Sequence, residues 1–229
     1  MDLSKYNVRS VFSSALGIVI LSLGISINKG SVLGMDTYTG MNTTVSTYFD
    51  MSLGNYQLVL NIILLLSMFV FGRYLLGLGT VLNMVFVGYL VDFFLKLFDG
   101  TILSFDVEKS IWVRLILLIA GTIILCLGAS LYMTADLGVA PYDALAIMMS
   151  DHIKGLPFSI ARIITDVICV IVGLIFGTVL GSYAFGTIIG IGTVLTAFGT
   201  GPFIDFFNKT ISAWIVGKNQ MVETKQKEA

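Results

Sequence analysis

Asp166 and Arg162 stand four residues apart inside an otherwise apolar run, Phe158–Val179. Residues at i and i+4 share one helix face, so the two can pair there. Counted from Phe158 at ~1.5 Å per residue, Asp166 lies about 12 Å into a helix, near the middle of a ~30 Å hydrocarbon core. A charged side chain at that depth costs ~2.5–3.5 kcal/mol on insertion scales, so it needs a partner and a reason. Two kinds of chemistry fit. The pair could clamp helices together, with Arg162 snorkelling to the interface. It could instead line a path for a solute or ion, with Asp166 carrying a coupling proton or cation and Arg162 as its counter-ion.

A second group of candidates sits at two related corners. One reads Leu33-Gly34-Met35-Asp36-Thr37-Tyr38, the other Leu137-Gly138-Val139-Ala140-Pro141-Tyr142-Asp143. Gly34 and Gly138 permit a sharp backbone approach. Pro141 suits the first turn of a helix, with Asp143 close behind it. Asp143 could simply cap the free N–H groups there. Alternatively, both corners point half-helices at a shared site, with Asp36, Tyr38, Pro141, Tyr142 and Asp143 facing the solute. A third, matching pair is Gln57 and Asn61, polar and again i, i+4, in an earlier apolar run. Asp92 and Asp205, each followed by Phe-Phe at a run's end, read as interfacial carboxylates.

Other chemistry is missing. No Ser/His/Asp set, phosphate loop or paired metal ligands occur, and His152 is the one histidine. Cys126 and Cys169 both lie in apolar runs, where cysteine packs as a small hydrophobe. The expectation is therefore no enzyme, no cofactor and no metal. A formal net charge of -1 gives no basic footprint for nucleic acid.

The elements that must position these residues are membrane spans. The chain has 229 residues, 56% of them hydrophobic and only 12% charged, with a mean hydropathy of +0.94. A water-soluble fold of this length could not hide so much apolar surface. Six runs are long enough to span: about Val11–Ile27, Gln57–Gly72, Leu76–Phe98, Trp112–Met133, Phe158–Val179 and Tyr183–Phe207. The first is read as a retained span, since no small-x-small cleavage site follows it. Two shorter segments, Thr37–Phe49 and Pro141–Ile153, read as re-entrant or interfacial.

The chain also repeats itself. Leu23-Gly24, Leu33-Gly34 and Tyr38 recur as Leu127-Gly128, Leu137-Gly138 and Tyr142 at the same spacing. GLGTVLNMVFVGYLVDFF from Gly77 matches GIGTVLTAFGTGPFIDFF from Gly190 at half its positions. In this alignment Gln57 and Asn61 stand where Arg162 and Asp166 stand in the second copy. Residues 1–105 form the first copy, 106–217 the second, and 218–229 a polar, disordered cytoplasmic tail. Three spans per copy turn the second upside down relative to the first, the plan of many secondary transporters. The expected fold is an all-α, polytopic transmembrane bundle of about six spans in two inverted repeats. Basic residues near both ends, Lys5 and Arg9 at one and Lys209, Lys218, Lys225 and Lys227 at the other, put both termini in the cytoplasm.

The corner at Leu137–Asp143 and the Gly-x-Gly-Thr helix ending in Gly-Pro-Phe-Ile-Asp at Gly201–Asp205 resemble the YczE/YyaS/YitT family of bacterial integral membrane proteins. The similarity runs from the first helix to about Phe207. The first corner departs from it, with Met35-Asp36-Thr37 in place of Val-Ala-Pro. The resemblance implies a multi-pass protein of the bacterial cytoplasmic membrane. On the residues themselves, the leading expectation is an alternating-access transporter of a small solute or ion. Its site would lie near Asp166, Arg162, Gln57 and Asn61, with the corners as gates. The alternative is a non-transporting scaffold assisting a partner or a biosynthetic pathway; a passive channel would need a polar stripe that these helix faces lack. The partners expected are the lipid bilayer and the solute, and so small a bundle could pair as a homodimer.

Overall fold

The computed structural model describes residues 7–104, 110–180 and 190–217. Every regular element among them is helical. In chain order these are α1 (Val8–Ser31), α2 (Thr37–Tyr48), α3 (Leu53–Phe71), a 3-10 turn (Arg73–Leu75), α4 (Leu78–Phe98), α5 (Ile111–Thr134), α6 (Pro141–His152), α7 (Phe158–Leu180), α8 (Ile191–Lys209) and α9 (Ile211–Val216). The two short segments expected from sequence are α2 and α6. The tail at 218–229 and the start of the last expected run, at 183–189, lie outside the described residues.

Four helices, α1, α4, α5 and α7, are long and apolar enough to cross a membrane. The apolar stretch of α3, Asn55–Phe71, is shorter. In α8 the apolar composition is diluted by Thr, Gly, Pro202 and Asp205. The surface distribution is that of a chain solvated by lipid. Leu58, Ile63 and Leu66 on α3, Val81 and Tyr89 on α4, and Ile168 and Ile175 on α7 are exposed. Serines 13, 14, 22 and 26 and Asn28, all on α1, are buried. Ser22 and Ser26 satisfy their hydroxyls on the carbonyls of Ile18 and Ser22, at 2.8 Å each. Trp112 and Trp214 are largely exposed, as expected of residues at a membrane–water boundary.

The centre of the molecule is the crossing of α1 with α5, which run antiparallel. A Cβ on Gly24 would stand 2.3 Å from the Leu125 nitrogen, and one on Gly128 would stand 2.2 Å from the Leu21 nitrogen. Only glycine lets these two backbones touch. These are equivalent positions of the two sequence copies with their partners exchanged.

The corners repeat the exchange. Leu33 accepts the Gly192 N–H at 2.8 Å, and Leu137 accepts the Gly79 N–H at 2.7 Å. Each corner of one copy thus closes the first turn of the last long helix of the other. Gly34 and Gly138 take left-handed φ of +119° and +105°, which lets the chain turn tightly against Gly190 and Gly77. Inside those first turns, Thr80 accepts the Gly77 N–H and Thr193 the Gly190 N–H, at 3.3 and 3.2 Å. The chain's two described ends also meet. Arg9 on α1 donates to the Ile215 and Trp214 carbonyls at 2.6 and 3.0 Å, capping the end of α9.

Candidate functional site

All nine residues singled out from sequence line one cavity of about 160 Å³, where helices of both copies meet. The starts of α2 and α6 supply Asp36, Tyr38, Pro141, Tyr142 and Asp143. Gln57 and Asn61 come from α3, and Arg162 and Asp166 from α7. The corners place them. Asp36 ends its corner by accepting the Thr39 N–H at 3.0 Å, a side-chain N-cap for α2. In the other corner Pro141 opens α6, and Asp143 sits in its first turn.

Asp166 is 1% exposed and accepts hydrogen bonds from four side chains. Thr37 Oγ1 and Tyr142 OH reach Oδ1 at 2.5 Å each, and Thr200 Oγ1 reaches Oδ2 at 2.7 Å. Arg162 Nε reaches Oδ2 at 3.3 Å, the expected i, i+4 pair. The Arg162 guanidinium also donates through Nη1 to Asp143 Oδ1 and lies 4.6 Å from the centre of the Tyr142 ring. One cation therefore bridges two carboxylates while stacking on an aromatic face. Cys169 Sγ stands 3.5 Å from the Tyr142 hydroxyl and is buried, so it packs against the site.

The first copy matches the Arg162–Asp166 pair with uncharged side chains, Gln57 and Asn61, while its own corner brings the carboxylate of Asp36 to the cavity. Tyr38 OH donates to Asn61 Oδ1 at 2.8 Å, as Tyr142 OH donates to Asp166. The rings of Tyr38 and Tyr142 stack at 4.3 Å between centroids with 19° between planes. Gln57 stands where Arg162 stands in the other copy, and Thr39 where Asp143 stands.

Sequence reasoning missed Thr37, Thr200 and Asn83. The two threonines complete the cage around Asp166, and Asn83 lines the cavity, buried, with its Nδ2 lacking a partner. An asparagine inside the apolar stretch of α4 was itself a signal. The threonines gave little, since most threonines in these helices bond their own backbone, as Thr44 does to Gly40. The remaining candidates lie elsewhere. Asp205 pairs with Lys209 at 2.7 Å on the surface, and Asp92 is exposed. His152 Nδ1 lies 2.8 Å from the Met148 carbonyl of its own helix. Among the described residues, no group of three His, Cys, Asp or Glu side chains is placed to hold a metal.

Apolar helices around a cavity that gathers buried polar side chains define a helical membrane protein. Residues 8–209 match the model of DUF6198, a family of unknown function, and the chain belongs to that family. It is similar to the uncharacterized membrane protein YczE of Bacillus subtilis (strain 168), 24% identical over 83% of this chain and 81% of that one. It is also similar to YyaS of the same organism, 26% identical over 90% of this chain and 95% of that protein. An uncharacterized protein of Haemophilus influenzae Rd is 24% identical over 91% and 87% of the two chains. These relatives agree with the YczE and YyaS part of the resemblance seen in the corner motifs. No solved structure matches the chain.

Proposed function

We propose that the protein is a transporter of a small solute or ion in the bacterial cytoplasmic membrane, working by alternating access between two inverted repeats. The observation that carries this reading is the cavity itself: it lies between the copies, with the charged pair Arg162 and Asp166 from one and the corresponding uncharged pair Gln57 and Asn61 from the other. Antiparallel α1 and α5 and the exchanged corners support the inverted relation. In this reading α3 and α8 also span, giving six crossings. The Arg9 contact with α9 supports both ends lying on one side, and the basic termini favour the cytoplasm. Rocking one copy against the other opens the cavity alternately, with the Leu33-Gly34 and Leu137-Gly138 corners as gates. No enzymatic step is assigned to the site.

In this mechanism Asp143, rather than Asp166, carries the exchangeable charge. Asp166 is held by four donors and serves as the anchor for Arg162. Asp143 meets Arg162 at the cavity wall and can exchange it for a solute or a proton.

The same saturation of Asp166 favours the second reading, a membrane scaffold in which the cluster is glue between helices. Water access separates the two. Cys126 and Cys169 are replaced, single cysteines are placed along α2, along α6 and at Thr196, and each is treated with a membrane-impermeant thiol reagent from either side. Labelling of α2 and α6 from opposite faces, with reaction at Thr196, is expected. Labelling from one face overturns the inverted arrangement, and a dry Thr196 leaves the scaffold.

A further inference from the structure

The charges at the cavity are unequal. Its lining includes three carboxyl groups, Asp36, Asp143 and Asp166, and one guanidinium, Arg162. Arg162 is already divided between Asp143 and Asp166. An anionic solute would meet surplus carboxylates and no free cation among the lining residues. Asp143 and Asp166 are buried and Asp36, half-buried, caps α2; three carboxyl groups against one guanidinium favour a positive partner. A metal ion finds no set of three ligating side chains among the described residues. The site already holds one organic cation, since the Arg162 guanidinium lies against the Tyr142 face.

Helix α4 adds a second requirement. Asn83 is 8% exposed, lines the cavity and has an Nδ2 with no partner. A buried amide N–H without an acceptor is destabilising, and an acceptor entering the cavity beside Asn83 would satisfy it. The cavity of about 160 Å³ has room for roughly five waters at ~30 Å³ each, hence for a solute of a few heavy atoms.

We propose that the cavity binds a small organic ammonium ion bearing an oxygen acceptor, its nitrogen on Asp143 beside Asp36 and its oxygen toward Asn83. This names the solute class for the transporter reading and rests on that reading only for the solute's passage, not for its binding. When the ammonium takes Asp143, Arg162 closes fully on Asp166, so binding and ion-pair exchange are one event.

The test is thermal unfolding of the full chain in lipid nanodiscs, titrated with ethanolamine, methylammonium, potassium or sodium as chlorides and with sodium acetate, at equal ionic strength. Ethanolamine is expected to raise the midpoint saturably, by roughly 5–10 °C at a hundredfold excess over Kd, and methylammonium less. No rise from either amine beyond that of potassium overturns the proposal, as does a larger rise from acetate, sodium or potassium. Asp143→Asn should abolish the response and the surface change Asp205→Asn should leave it. Should Asp143→Asn fail to fold, Gln57→Lys supplies a tethered ammonium on the facing wall and is expected to remove the response; a wild-type response there overturns the proposal. Uptake of labelled ethanolamine into proteoliposomes then separates the two ideas. Stabilisation without uptake keeps the ammonium site and removes transport of this probe. Uptake of acetate with no amine response keeps transport and removes the ammonium site.

Discussion

Tyr38 and Tyr142 stack face to face at 4.3 Å, and each donates its hydroxyl to the corresponding residue of its own copy, Asn61 for one and Asp166 for the other. The two tyrosines are one point at which the copies touch at the cavity, beside the Thr37–Asp166 hydrogen bond, and their acceptors are where the copies differ. One hydroxyl supports a neutral amide and the other an ionisable carboxyl group that four donors surround.

That difference is measurable. Tyr142→Phe removes a hydrogen bond to a charged acceptor and should cost about 1.5–3 kcal/mol. Tyr38→Phe removes one between neutral groups within a membrane bundle and should cost about 0.6 kcal/mol. Thermal unfolding of the two variants in the same detergent gives the order, and equal losses would mean that Asp166 is not held as an anion.

Anchor and exchangeable group should separate in the same assay. Asp166→Asn breaks a buried pair and leaves Arg162 undercompensated, for an expected loss of about 3–5 kcal/mol with the chain still inserted. Asp143, whose side chain is 12% exposed, makes a single ion pair, so Asp143→Asn should cost clearly less. In a working transporter both variants should lose uptake. Full activity of either would remove its assigned role.

The uncharged pair Gln57 and Asn61 can be rebuilt as a charged one. Asn61→Asp places a carboxylate beneath Tyr38 with no cation beside it and should destabilise strongly. Adding Gln57→Arg restores the i−4 partner that Arg162 provides to Asp166. The double-mutant cycle should show a favourable coupling of about 1–3 kcal/mol. No coupling would mean that the two α-helical faces are not equivalent.

The α1–α5 crossing depends on missing side chains. Gly24→Ala drives a Cβ to within 2.3 Å of the Leu125 backbone nitrogen, which no rotamer can relieve. A loss of about 3 kcal/mol or more is expected. Gly88→Ala meets nothing within 4 Å and should be neutral or up to about 1 kcal/mol stabilising. A tolerated Gly24→Ala, read from folded yield, would contradict the close crossing.

Much of the site was legible because polar residues are expensive in lipid and so stand out against an apolar background. Asp166, Arg162, Gln57 and Asn61 declare themselves by contrast, and the corners by repetition. The same contrast was present at Asn83, in the stretch that revealed the repeat, but the match of that stretch to the second copy drew attention to its glycines and not to its lone amide. Thr37 and Thr200 were hidden because threonine can satisfy itself locally, so its type does not say whether it bonds across helices. The exchange of corners was also hidden. A repeat at constant spacing fixes which residues correspond, but not whether Leu33 closes a turn of its own copy or of the other.

That exchange sets an order of events during synthesis. The Gly79 N–H at the start of α4 leaves the ribosome long before the Leu137 carbonyl that receives it exists. The first half of the chain therefore enters the bilayer with an open helix end, which stays solvated or chaperoned until the second half arrives. A nascent chain halted before Leu137 should remain protease-sensitive at Leu75–Gly79, and releasing the halt should close that site in a single step.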